Sequence, residues 1–91
     1  MSDYISASIE REVRLNARNA CEACRFRERR MGTRTVLQLH HMHPREIGGL
    51  TTVNNLCLLC PTDHVIAQFF ADTMQVWDRQ GTVKHVRRIR R

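Results

Sequence analysis

Residues 37–64, LQLHHMHPREIGGLTTVNNLCLLCPTDH, decide the fold. They hold a β-prone run, a long interruption, a second apolar run and a helix start. Residues 35–41 (TVLQLHH) read as a strand because β-branched and apolar side chains suit a pleated, half-buried surface. Pro44, Gly48 and Gly49 break the pattern, so residues 42–54 read as a long loop. Residues 55–59 (NLCLL) are the second strand. Pro61 and Thr62 open a helix, since proline lacks only an N–H that the first turn leaves unbonded, and Thr62 or Asp63 can cap it. This helix is expected over residues 61–72, with Val65, Ile66, Phe69 and Phe70 on its buried side.

Upstream, Ile5, Ile9 and Val13 repeat every four residues while Glu10, Arg11, Glu12 and Arg14 lie elsewhere around the axis. Residues 5–20 therefore read as an amphipathic helix, capped by Ser6 or Ser8, that runs into Cys21 and Cys24. Residues 25–34 are a basic connection with Gly32 as a turn signal. Downstream, residues 74–86 read either as a hairpin about Gln80 and Gly81 or as an irregular arm, and the chain ends in the charge run VRRIRR. The fold class is α+β. One domain over residues 1–91 is expected, with a core over about 8–72 and a basic C-terminal arm over about 73–91.

A chain of 91 residues buries only about 60–65% of its unfolded surface. Domains of this size often depend on a metal, a disulfide or a partner. An aromatic content of 5% points the same way. No apolar run approaches membrane-spanning length, and residues 1–13 lack the pattern of a secretory signal. A cytoplasmic setting is expected, where cysteines serve more often as metal ligands than as disulfides.

Cys21-x-x-Cys24 and Cys57-x-x-Cys60 are two such pairs, and each can offer two thiolates to one tetrahedral zinc ion. A closed zinc site adds directly to the folding energy of a small domain. The fourth ligand is open between two residues. Leu58 and Leu59 are bulky for a zinc-binding turn, whereas Cys60-Pro61-Thr62-Asp63 resembles one. Either Cys57 or Asp63 completes the set, and Cys57 is the favoured choice.

The chain carries fifteen Lys and Arg against nine Asp and Glu, a net charge of +6, and fourteen of the fifteen are arginine. The guanidinium fork suits phosphate, so a nucleic-acid partner is expected. Arg25, Arg27, Arg29, Arg30 and Arg34 are the candidate phosphate contacts, which position a backbone without reading bases. His40, His41 and His43 lie in one stretch, His64 begins the following helix and Asn55 lies between. Strand alternation turns His40 and His41 to opposite faces, although a twisted strand end can bring both to one site. The set offers imidazoles for a metal, another for proton transfer and an amide.

The set His40-His41, Pro44, Gly48-Gly49, Asn55-Leu56, Leu59-Cys60 and His64, with the upstream helix and Cys21-x-x-Cys24, resembles the HNH endonuclease family over roughly residues 8–68. The resemblance implies a ββα-metal finger, a β-hairpin plus helix around one divalent ion, with an N-terminal helix and a zinc knuckle. It implies that His40 and His64 bind the catalytic ion, that His41 is the general base, and that Asn55 orients the His41 ring through its amide. Cys21, Cys24 and Cys60 match structural zinc positions. Many members have Cys where this chain has Asp63. Some add a histidine ligand where it has Gln68, which leaves room for water on Mg²⁺ or Mn²⁺.

The implied activity is hydrolysis of a DNA phosphodiester to a 5′-phosphate and a 3′-hydroxyl. One site cuts one strand, so nicking of duplex DNA with low sequence specificity is expected. A double-strand break then needs a homodimer or two visits, and a larger partner can supply targeting. The alternative is a zinc-stabilised nucleic-acid-binding module without catalysis. It accounts for the cysteines and the charge but leaves the histidines and Asn55 unexplained.

Overall fold

In the computed structural model the structure describes residues 5–27 and 36–88. Helix α1 (Ala7–Asn16) begins where the Ser6 hydroxyl accepts the N–H of Ile9, so Ser6 is the cap. Its buried face is narrow, with Val13 inside, followed by Ala17 and Ala20 just past its end. The helix is shorter than the 5–20 expected. Arg18 and Asn19 take left-handed backbone angles and turn the chain into the cysteine knuckle.

Strands β1 (Gln38–His41) and β2 (Leu56–Leu59) form an antiparallel hairpin that pairs Gln38 with Leu59 and His41 with Leu56. All four β2 residues are buried. That explains why LCLL is a continuous apolar run rather than an alternating one. α1 packs against β2 and against the short turn Val53–Asn55.

Helix α2 spans only Pro61–Ile66. The helix expected to run to residue 72 stops six residues early, and Val65, expected inside, is 80% exposed. Gln68–Phe70 is instead strand β3, paired with β4 (Thr73–Trp77), which pairs in turn with β5 (Val83–Arg88). Ala71 and Asp72 both have positive φ, which makes the tight turn between β3 and β4. Phe69 faces inward, but Phe70 lies on the outer face, 69% exposed.

Of the two readings of residues 74–86, the structure has the hairpin. Its connection is held by the Asp78 side chain, which accepts the N–H groups of Gln80 and Thr82, and by Gly81 at positive φ. Met74 and Val76 are fully buried beside Leu37, Met42, Leu58 and Leu59. Residues beyond 72 thus supply part of the core, and the described portion of 73–91 is a sheet rather than a free arm.

Candidate metal centres

The knuckle is a tight hairpin. The Cys21 N–H donates to the Phe26 carbonyl and the Arg25 N–H to the Cys21 carbonyl, both at 2.8 Å, and Ala20 bridges Arg27. It is pinned to β2 by Glu22. The Glu22 N–H donates to the Leu58 carbonyl (2.9 Å), and its carboxylate accepts the Leu58 N–H (2.8 Å). This brings Cys21 and Cys24 to the far end of β2, where Cys60 caps α2 and Asp63 lies in its first turn.

Ligand atoms of Cys21, Cys24, Cys60 and Asp63 all lie within 4.8 Å of one another. Among the described residues this is the only group of three or more metal donors so placed. Cys24 Sγ and Cys60 Sγ are 3.8 Å apart. Two sulfurs about 2.3 Å from one tetrahedral ion would lie about 3.8 Å apart, so this pair already has the spacing of zinc ligands. Asp63 Oδ2 accepts from Cys21 Sγ (3.1 Å) and Cys60 Sγ (3.3 Å), which puts the carboxylate oxygen at the fourth corner. The cluster can hold a metal, and its donor set is one that zinc takes.

Cys57, the favoured fourth ligand, is not in this cluster. It lies within extended β2 opposite His40, with Sγ 3.4 Å from Met74 Sδ. A strand cannot fold the three-residue spacing into the turn that two ligands of one ion require. Asp63, the other choice, takes the corner. Burial pushes the Cys57 thiol up.

Burial pushes Cys24 up to about 12, aided by hydrogen bonds with Cys21, Asp63 and Cys60 and opposed by the Phe26 backbone. Burial also works to raise Asp63. The hydrogen bond from Lys84 and those from the three thiols outweigh it and hold Asp63 at about 2. The cluster therefore pairs a carboxylate that is charged at physiological pH with thiols that must lose their protons to bind a metal.

The second candidate centre lies where α2 meets β1. His40 and His64 meet with their Nδ1 atoms 3.1 Å apart and their rings edge-on. Two nitrogens about 2.1 Å from one octahedral ion and at right angles to it would be about 3.0 Å apart. Both rings border an open cleft of about 460 Å³ that is also lined by His41, Pro44, Arg45 and Glu46. Burial, with the neighbouring His64 and His41, lowers His40 to about 4, so its ring is neutral and can ligate at physiological pH. His41 turns its Nε2 to the Thr51 hydroxyl at 3.0 Å. The contact with Thr51 was not foreseen from sequence, because nothing in the residue spacing distinguishes Thr51 from Thr52.

Asn55 is buried at the mouth of β2, but its amide works on backbone. Nδ2 donates to the carbonyls of His43 (3.1 Å) and Leu50 (2.7 Å), and Oδ1 accepts the His43 N–H (2.8 Å). Both amide hydrogens are thus committed to carbonyls. Asn55 fixes the loop that carries the histidines rather than donating to the His41 ring. Its own carbonyl accepts the Met42 N–H at 2.9 Å. Gln68, where a third ligand would come from a longer helix, is exposed on β3. His43 stacks on Phe69, centroids 4.6 Å apart. Arg25 and Arg27 are exposed on the knuckle; Arg29, Arg30 and Arg34 lie outside the described residues.

A model of the HNH endonuclease family matches residues 16–68. The chain belongs to the HNH endonuclease family. The match spans the knuckle, the hairpin and α2, and it stops as β3 begins. Searches of curated proteins and of solved structures gave no match. HNH membership links the chain to nucleases and to nucleic-acid binding. Among the described residues no helix is long and apolar enough to cross a membrane.

Proposed function

We propose that this HNH domain is a metal-dependent DNA endonuclease that hydrolyses one phosphodiester per site. The observation that carries the reading is the His40–His64 nitrogen pair, spaced at 3.1 Å on a cleft that His41 also borders.

His40 and His64 would hold one divalent ion, Mg²⁺ or Mn²⁺, with water and phosphate oxygens in its remaining positions. Such an ion, when bound, stabilises the negative charge that grows on the phosphate and the leaving 3′ oxygen. His41 is the general base. Its imidazole, set 3.0 Å from the Thr51 hydroxyl through Nε2, takes the proton of the attacking water. Asn55 holds the His43–Leu50 loop and so fixes where that ring stands. Arg25, Arg27, Arg29, Arg30 and Arg34 contact backbone phosphates and give affinity without sequence selection. Cys21, Cys24, Cys60 and Asp63 bind a structural zinc. The substrate is double-stranded DNA, nicked by a monomer; a double-strand break needs a homodimer or two visits, and a larger partner can supply targeting. The setting is cytoplasmic, where cysteines serve more often as metal ligands than as disulfides.

Supercoiled plasmid incubated with Mg²⁺ or Mn²⁺ tests the reading. The wild type is expected to give open circles, and His41→Ala to lose 10²-fold or more of the rate, in the range typical of a lost general base, while still retarding DNA in a gel. If both proteins retard DNA and neither cuts, the binding-module reading replaces this one.

A further inference from the structure

The family match ends at residue 68, yet a side chain from beyond it reaches the thiol cluster. Lys84, the one lysine in the chain, places Nζ 2.7 Å from Asp63 Oδ1. The Asp63 side chain is fully buried, and its other oxygen, Oδ2, faces the thiols of Cys21 and Cys60. The carboxylate is thus divided between an ammonium on one oxygen and the metal-donor cluster on the other.

Lys84 reaches this position through a fault in the sheet. β4 pairs Val76 with His85 but Trp77 with Val83, which leaves Lys84 as an unpaired extra residue. A bulge of this kind breaks strict alternation and re-aims a side chain. A second link runs in parallel, from Arg87 to Glu22 inside the Cys21–Cys24 turn. β5 therefore grips both halves of the cluster.

Charge gives the contact its consequence. A divalent ion with three thiolates and one carboxylate carries a net charge of −2, part of it on the buried Cys21 and Asp63, and uncompensated buried charge is costly. The Lys84 ammonium halves that excess. Its hydrogen bond also occupies Oδ1, which leaves Oδ2 as the single donor oxygen, as outer partners of metal ligands do elsewhere.

We propose that Lys84 is a positioning residue of a zinc centre formed by Cys21, Cys24, Cys60 and Asp63, and that zinc binding is thereby coupled to docking of the β4–β5 hairpin. This rests on the reading of that cluster as a zinc site. Zinc affinity of the full chain, measured by competition with a chromogenic chelator, tests it. Lys84→Met is expected to weaken zinc binding 10- to 100-fold, the usual effect of losing such a partner, and Lys84→Arg to recover most of it. In an Asp63→Cys background the hydrogen bond is gone while the net charge of −2 remains, so adding Lys84→Met should weaken binding by a clearly smaller factor than it does in the wild type. Hydrogen exchange should show zinc protecting β5 amides in the wild type and not in Lys84→Met.

Equal zinc affinity of wild type and Lys84→Met overturns the inference while leaving the zinc site standing. So does an undiminished loss in the Asp63→Cys background, which would make Lys84 a general fold contact. A wild type that fails to take up one zinc per chain overturns the zinc reading itself, and this inference with it.

Discussion

At the scale of single residues, Asn55 carries the largest structural burden. Its amide satisfies three backbone groups at once, so Asn55→Ala takes that partner from all three in a partly buried place. A loss of about 2–4 kcal/mol is expected, measured by urea denaturation. Cleavage should fall with it, because the loop carrying the histidines loses its anchor. Cys57 and Cys60 give a sharper contrast. Cys57→Ala should retain one zinc per chain by metal analysis, and Cys60→Ala should lose it, because only Cys60 belongs to the cluster. From spacing alone the two looked alike. The distinction lay in whether residues 57–59 turn or extend, which depends on pairing with β1. His40 sets a pH dependence. Its folded value of about 4 lies below its ordinary 6.5, so between these values the folded chain binds fewer protons than the unfolded chain. Stability should therefore rise with pH across that window and fall as pH drops from about 6.5 to 4. Thermal melts without added Mg²⁺ or Mn²⁺ should show this slope, flattened in His40→Gln, which has no proton to gain.

At the scale of elements, the loop between β1 and β2 makes unequal demands on its two glycines. A Cβ on Gly49 would lie 1.7 Å from the His43 carbonyl oxygen and 2.8 Å from that of Pro44, both backbone atoms that cannot swing aside. Gly48 meets nothing within 4 Å but has φ +100, outside the usual L-residue range. Gly49→Ala should therefore lower the melting temperature far more than Gly48→Ala, whose strain is worth about 1–3 kcal/mol. The β1–β2 hairpin was legible because TVLQLHH and NLCLL are β-prone and Pro44, Gly48 and Gly49 separate them. The end of α2 was not. Val65, Ile66, Phe69 and Phe70 fit a helical stripe, yet Phe69 and Phe70 also fit a strand with one face in and one out. The turn that decides between them is made by Ala71 and Asp72, and positive φ at an alanine carries no sequence signal of the kind Gly or Asn would give.

At the scale of the whole molecule, the core is divided between the family-matched segment and the strands that follow it. Leu58, Leu59 and Leu37 come from one, Met74 and Val76 from the other. Composition pointed to a domain that would gain from a metal, and the Cys21–Cys24–Cys60–Asp63 cluster can hold one, while His40 and His64 of the histidine set meet. What composition could not foretell is that β3, β4 and β5 would close the core, because a basic, mixed segment reads equally well as an arm. Chelation of zinc should lower the melting temperature sharply and raise the susceptibility of the hairpin to proteolysis. DNA affinity should fall steeply with salt, its log–log slope reporting about 0.9 per phosphate neutralised, and each arginine-to-alanine change in the knuckle should reduce that slope by about one. Strand β2 joins the two ends of this arrangement. Asn55 stands at its start and Cys60 at its finish, five peptide units or about 17 Å away in extended chain. Helix α2 then serves both positions with adjacent residues, Asp63 to the thiol cluster and His64 to the His40 pair. A single insertion between Leu56 and Leu59 would leave every ligand in the sequence and still put one site or the other on the wrong face of the sheet.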